Sequence, residues 1–170
     1  CGLELAPAGR ALLDAEAMSE AVKMALDDKF AFWAQMGHGG WDSEGQYLYL
    51  ALAKKGRLPP QPIAQLHWDS RPVVHYDCCL VGATLPRGGG RFDGHPTAAL
   101  LARASCVLSS VHPVFDRYAA EFCERLYARV LRRERPLALG EALLEARREM
   151  AVEYAENPIV WATTVLWGNP

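Results

Sequence analysis

The sequence lacks most of the features that would tie a protein to a membrane, a nucleic acid or an oxidising compartment. No apolar run approaches the roughly 20 residues of a membrane span, and no signal-peptide pattern opens the chain. The 18 basic and 20 acidic residues give a net charge of −2, so no basic footprint predicts direct binding of nucleic acid. Five cysteines, an odd number, do not suggest a disulfide framework. We expect a cytoplasmic protein without a membrane partner.

The composition that is present suits one globular domain. The chain has 170 residues, 51% of them apolar and 22% charged, which allows a sizeable core. Apolar spacing predicts helices and strands that alternate along most of the chain. The predicted helices cover 11–29, 63–68, 97–104, 113–132 and 139–154, and the predicted strands cover 30–36, 47–52, 73–77, 106–111 and 159–167.

This alternation predicts an α/β fold with a mostly parallel sheet flanked by helices on both faces. The glycine- and proline-rich segment 84–96 indicates a mobile surface loop between two of these elements. Loops at the carboxyl ends of parallel strands are where chemistry normally sits. The residues that directly follow a predicted strand are therefore the first candidates for a site.

His38 is the first candidate, in the sequence Gly37-His38-Gly39-Gly40 directly after a strand. Glycines on both sides allow a close approach of backbone and unusual dihedral angles, which suits an imidazole at a substrate-binding edge. A plain turn with a surface histidine explains the tetrapeptide equally well.

Cys79 is the second candidate, at the end of the strand that carries Asp77 and Cys78. A thiol becomes nucleophilic when a nearby imidazole helps to remove its proton. A free cysteine is more often a small buried apolar residue, so Cys79 alone carries little weight. Strand alternation sends Cys78 and Cys79 to opposite sides, and we expect Cys78 to be the packing residue.

Together these motifs resemble the CHAT domain, a caspase- and separase-related family of cysteine peptidases. The family has a strand into Gly-His-Gly, a strand into Cys-x-x-Gly, and an apolar-Pro-Val-x-Asp step. The resemblance covers roughly Phe30 to Pro170, on the segments Met36-Gly37-His38-Gly39, Cys79-Leu80-Val81-Gly82, Pro113-Val114-Phe115-Asp116 and Trp161-Ala162 with Gly168. It implies a caspase-like fold, and a bacterial cysteine endopeptidase with a His38–Cys79 dyad.

The resemblance also implies roles for two further residues. Backbone N–H groups of Gly39 and Cys79 would bind the oxyanion. Asp77, two residues before the cysteine, matches the Asp-x-Cys spacing of the metacaspase branch and would line an S1 pocket for Arg or Lys. A strand-end aspartate that bonds local backbone explains Asp77 equally well. Asp42 and Glu44 are expected to be solvated loop residues.

Some positions depart from the family pattern. His112 stands where the family usually has Trp, and Leu80 follows the cysteine where an acidic residue is common. The first strand of the family is missing or reduced to Gly2 to Ala6. We therefore expect residues 1–170 to form a single caspase-like domain that lacks its first strand, as the C-terminal fragment of a longer chain. A catalytically inactive binding or scaffold module stays open as the alternative function.

No cofactor or metal is expected. His75-x-x-Cys78 has tolerable ligand spacing, but no second pair of ligands follows it. The expected partners are a protein or peptide substrate and, by the resemblance, a helical-repeat sensor region or partner subunit within a larger regulated assembly.

Overall fold

The computed structural model describes residues 30–44, 46–52, 56–87, 89, 91–132 and 134–169. Both strands and helices form along this part, but several strands follow one another directly and three helices are consecutive, so the predicted alternation is observed only in part. The strands are β1 (Phe32–Gly37), β2 (Gly39–Asp42), β3 (Tyr47–Ala51), β4 (Arg57–Leu58), β5 (Val73–Cys78), β6 (Leu85–Arg87), β7 (Arg91–Asp93), β8 (Cys106–Ser110) and β9 (Thr164–Gly168). The helices are α1 (Pro60–Ala64), α2 (His95–Leu101), α3 (Asp116–Val130), α4 (Leu139–Glu153) and α5 (Ile159–Ala162).

The central sheet has four strands in the order β1-β5-β8-β9. The first three are parallel and β9 runs antiparallel to β8, so the predicted mostly parallel sheet is confirmed. Strands β2, β3 and β4 form a separate antiparallel sheet that follows β1 directly.

Helices cover both faces of the central sheet, as expected. On one face, α1 and α2 contribute to a core with alternate residues of β5, including Ile63, Ala98, Val74 and Tyr76. On the other face, α3 and α4 build a second core around β8, including Phe122, Leu126, Ala146 and Met150. All five residues of β8 are buried, which is typical of a central strand covered on both sides.

The predicted loop 84–96 is wrong, because β6 and β7 form an antiparallel hairpin there and α2 begins at His95. Strands of three residues are too short to show an alternating apolar pattern, so composition alone favoured a loop.

The helices that the structure describes include none with the length and apolar character of a membrane span.

The predicted strand 159–167 is wrong in its first half, where α5 precedes β9. Pro158 has a helical backbone, with φ −62° and ψ −21°, and its carbonyl accepts the amide of Ala162 at 2.8 Å. β9 pairs with β8 through five residues only. Tertiary pairing therefore outweighs the β propensity of Ile159 and Val160.

The predicted helix 63–68 lies too late in the chain, since α1 covers Pro60–Ala64. Proline fits the first helical positions, where its missing N–H is not needed, and Pro60 opens this helix. The predicted helix 11–29 lies outside the described residues, and the expected single-domain boundary of 1–170 stays a prediction.

Two buried histidines make the stability of this fold depend on pH. His75 and His95 are 1% and 0% exposed. Burial lowers the pKa of each from its usual 6.5 to about 4, because a charged imidazole loses its hydration in the core. Nε2 of His95 lies 3.1 Å from the carbonyl oxygen of Leu58, which partly opposes this effect.

We predict that the free energy of unfolding falls as the pH drops from about 6.5 to about 4. In this window the unfolded chain binds protons that the folded chain does not. In His95→Gln, the loss of unfolding free energy between these two pH values should be smaller by on the order of 3 kcal/mol. Urea unfolding across the pH range measures it. His67→Gln, at an exposed histidine, is the control. Equal slopes for His95→Gln and the unaltered chain would contradict the prediction.

Candidate active site

The pairing of β1 with β5 carries His38 and Cys79 to one edge of the central sheet. The parallel register runs from Phe32 opposite Val73 to Gly37 opposite Cys78. His38 and Cys79 are the next residue on each strand. The His38 side chain is exposed and Cys79 is half-buried, so both lie at a surface that a substrate can reach.

Gly39 lies in close contact with the segment that contains Cys79. A Cβ built on Gly39 would lie 2.3 Å from the carbonyl oxygen of Cys79 and 2.3 Å from Cγ2 of Val81. Only glycine allows the backbone after His38 to lie this close to Cys79. The carbonyl oxygen of His38 accepts the amide of Ala51 at 2.7 Å, which ties the histidine to β3.

The sulfur of Cys79 lies against the backbone of Val114, just before α3. The Val114 amide donates to Sγ at 3.4 Å, and the Val114 carbonyl oxygen lies 3.6 Å from the same sulfur. The sulfur therefore has both a backbone N–H donor and a carbonyl acceptor from Val114. The segment 113–115, which the sequence analysis assigned to a helix start and to the Pro-Val-x-Asp step of the family but not to the site, thus borders the candidate nucleophile.

A sharp turn follows Cys79. Leu80 has a φ of +64°, a left-handed conformation that is costly for a bulky residue. The amide of Gly82 donates to the carbonyl of Ser110 at 2.8 Å, and a Cβ on Gly82 would lie 2.8 Å from Oγ of Ser109. The glycine of the Cys-x-x-Gly motif therefore packs the turn onto β8.

Cys78 lies on the other side of β5, in the core with α1 and α2. It is 3% exposed, and its Sγ lies 3.5 Å from the carbonyl oxygen of Gln35. Burial, with the nearby Asp77 charge, raises the pKa of the Cys78 thiol to about 12. The assignment of Cys78 to packing agrees with this environment.

Asp77 lies on the same face of β5 as Cys79 and is half-buried. The Cys123 thiol of α3 donates to its Oδ2 at 3.4 Å. Burial raises the pKa of Asp77, the Cys123 hydrogen bond opposes that shift, and the negative charge of Asp116 adds to it. Among the residues that the structure describes, no cation pairs with Asp77, so its charge is poorly compensated.

A second histidine and cysteine lie close together behind this edge. Nδ1 of His75 is 2.5 Å from the hydroxyl of Tyr127, and His75, Asp77 and Cys123 place ligand atoms within 4.8 Å of one another. His75 and Cys123 are only 1% and 5% exposed, which keeps this pair from a peptide bond in a substrate. They are less suited to peptide hydrolysis than the exposed His38 and half-buried Cys79.

Asp42 is not the solvated loop residue that was expected. It is 8% exposed and forms an ion pair with Arg57, whose guanidinium lies 4.8 Å from the centre of the Tyr49 ring. Glu44 is exposed, and its amide donates to Oδ1 of Asp42 at 3.0 Å. The ion pair connects β2 with β4 and so stabilises the small sheet that contains Gly39.

Sequence reasoning missed the roles of Val114, Cys123 and Tyr127. A partial signal existed, because Cys123 and Tyr127 are four residues apart and so share one face of α3. Likewise His75, Asp77 and Cys79 follow one another at intervals of two residues, so their side chains share one face of β5 and its end. Nothing in these local patterns indicates that the two faces meet.

The chain has a mostly parallel sheet between helical layers, which is the caspase-like fold. A glycine-flanked histidine and a cysteine lie at adjoining strand ends of this sheet. The chain belongs to the CHAT domain family, whose sequence model matches residues 3–169. A comparison with the curated proteins finds no match.

Two crystal structures of the Saccharomyces cerevisiae separase–securin complex are similar to this chain. The one at 2.6 Å resolution has a TM-score of 0.59 and 19% identity over 82% of this chain. The one at 3.0 Å has a TM-score of 0.56 and 20% identity over 81%. This chain spans only 8% of the matched chain in each case, so the likeness concerns the fold.

Gly39→Ala tests whether the two segments meet. The added methyl group would overlap the carbonyl oxygen of Cys79, and such overpacking costs about 1–3 kcal/mol. We expect urea unfolding to show a loss of this size. Gly40→Ala is the matched control, since the three atoms nearest to its Cβ belong to the Tyr49 side chain and not to the Cys79 segment. Equal stability of Gly39→Ala and the unaltered chain would contradict the contact.

Proposed function

We propose that this protein is a cysteine endopeptidase that cleaves protein substrates after Arg or Lys with a His38–Cys79 dyad. The observation that carries the proposal is the register of β1 and β5, which brings the two residues to adjoining strand ends. The tight contact of Gly39 with the Cys79 carbonyl supports it, as does membership of the CHAT domain family.

The reaction follows from the chemistry of these groups. His38 accepts the thiol proton, and Sγ of Cys79 attacks the carbonyl carbon of the scissile peptide. The amide nitrogen leaves with the proton from the imidazole, and water then hydrolyses the thioester to release the acid and the free thiol. The Val114 backbone, whose amide nitrogen lies 3.4 Å from Sγ, positions the attacking sulfur. N–H groups of Gly39 and Cys79 are the proposed oxyanion donors.

Asp77 is the proposed binder of the basic P1 side chain. It lies on the Cys79 face of β5 and is half-buried, and its pKa is raised mainly by burial, with a smaller contribution from the negative charge of Asp116. Two carboxylates near one another favour a cation between them, and a guanidinium can bind a carboxylate through two parallel hydrogen bonds. This charge arrangement supports Arg or Lys at P1 over a neutral side chain.

We further propose that the domain acts in the cytoplasm within a larger regulated assembly, with a helical-repeat region or a partner subunit. The four described cysteines, Cys78, Cys79, Cys106 and Cys123, are free, which fits a reducing compartment. The separase chains of similar fold are crystallised with securin, which supports a protein partner in general terms.

The nucleophile is tested with a peptidyl-Arg electrophile that alkylates activated thiols, applied to the full chain. We expect labelling at Cys79, its loss in Cys79→Ala, and a reduction of at least tenfold in His38→Ala, because the imidazole activates the thiol. Cys78→Ala should label normally. Mass spectrometry locates the adduct.

Persistent labelling of Cys79→Ala would contradict the dyad. An absence of labelling with both the peptidyl-Arg probe and a peptidyl-Leu counterpart would favour the alternative of an inactive binding or scaffold module. Labelling by the Leu probe alone would keep the dyad and reject the basic preference.

The P1 preference is tested with Asp77→Asn. Loss of the charge should lower kcat/KM for a P1-Arg peptide about 10- to 100-fold, mainly through KM, since hydrogen bonds to charged groups contribute about 1.5–3 kcal/mol. Cleavage of a P1-Leu peptide should change little. Glu141→Gln, an exposed position on α4, serves as control. An unchanged Arg-to-Leu ratio in Asp77→Asn would reject Asp77 as the binder.

A further inference from the structure

Three side chains of different ligand classes converge behind the candidate nucleophile. His75 and Asp77 project from one face of β5, and Cys123 projects from α3, which covers that face. One imidazole nitrogen, one carboxylate oxygen and Sγ all lie within 4.8 Å of one another. His75 and Cys123 are almost fully buried, and Asp77 is half-buried.

We propose that His75, Asp77 and Cys123 form a zinc site. Imidazole, carboxylate and thiolate are the usual protein ligands of Zn²⁺, which takes a tetrahedral arrangement. A hard cation such as Mg²⁺ would avoid the thiolate. Among the described residues the cluster holds three such ligands, so a fourth position remains for water. The Tyr127 hydroxyl, 2.5 Å from Nδ1 of His75, borders the ring that binds the ion.

Charge balance favours a divalent cation at this place. Binding forms a Zn–S bond and releases the Cys123 proton to solvent. The thiolate and the Asp77 carboxylate then carry two negative charges against the two positive charges of the ion, and His75 binds as a neutral ring. A buried site without net charge avoids the cost of an uncompensated ion. It also supplies the cation that Asp77 lacks among the described residues.

The strand geometry explains why sequence spacing did not predict this site. His75-x-x-Cys78 was the spacing considered, but Cys78 lies in the core on the opposite side of β5. The thiol that lies near His75 belongs instead to Cys123 of α3, which donates a hydrogen bond to Asp77.

The site has a regulatory consequence, which rests on the proposed function. Asp77 is both a zinc ligand and the proposed binder of the basic P1 side chain. A bound Zn²⁺ neutralises that carboxylate and competes with Arg or Lys. Zinc therefore inhibits cleavage after basic residues without binding to Cys79.

Zinc binding is measured on the full chain carrying His38→Ala and Cys79→Ala, which removes the other His–Cys pair able to hold the ion. Equilibrium dialysis should give one Zn²⁺ per chain, and Co²⁺ should produce a thiolate-to-cobalt charge-transfer band. Adding Cys123→Ser should abolish the band and weaken zinc by more than the roughly 10- to 100-fold that an outer-shell change costs. Asp77→Asn should also weaken it. Cys78→Ala is the matched control.

Three outcomes would overturn the site. The first is that the dyad-free chain binds no stoichiometric zinc. The second is that Cys123→Ser and Asp77→Asn leave the zinc affinity unchanged although these chains unfold cooperatively in urea. The third is that Cys78→Ala alone loses zinc binding. This arm does not depend on peptidase activity.

The regulatory role has its own readout. Zn²⁺ should raise KM for a P1-Arg peptide in the chain with the dyad intact, and Cys123→Ser should require at least tenfold more zinc for the same effect. Inhibition that is equal in Cys123→Ser and the unaltered chain would place the inhibiting ion outside the His75–Asp77–Cys123 site and overturn the regulatory role. Failure of every peptide substrate would reject the proposed function while leaving the dialysis result intact.

Discussion

The parallel pairing of β1 with β5 is the constraint on which the rest of the structure depends. It sets Gly37 opposite Cys78, and the next residues, His38 and Cys79, then end their strands at one edge. A shift by one residue would send alternate side chains to the opposite face. The absence of a side chain at Gly39 lets the two segments touch, so this one glycine sets the spacing of the edge.

One face of β5 packs in an apolar core, and the other face carries the residues of the candidate site. Val74, Tyr76 and Cys78 face the core with α1 and α2, where Tyr76 and Trp68 contact Trp33 edge-to-face at 5.9 and 5.8 Å. Such aromatic pairs contribute about 0.5–1.5 kcal/mol beyond burial. The alternate residues of β5 face α3 and carry the polar groups. A rigid apolar face therefore holds the strand that positions the site.

Periodicity predicted the long elements well and the short ones poorly. The helix Leu139–Glu153 lies within one residue of its predicted range, because its apolar residues recur with helical spacing over four turns. The β6–β7 hairpin and the one-turn helix Ile159–Ala162 are too short to show a period. In the latter, pairing of β9 with β8 and the backbone at Pro158 outweigh the β propensity of Ile159 and Val160.

By itself, the sequence determined the positions of His38 and Cys79 after two strands, and alternation separated Cys79 from Cys78. Both are local properties, set by neighbouring residues and by the twofold period of a strand. Only the tertiary structure decided that Val114 bonds the Cys79 sulfur and that Cys123 bonds Asp77. Those contacts join residues 35 and 46 positions apart. They depend on how α3 packs across β5, which no local pattern specifies.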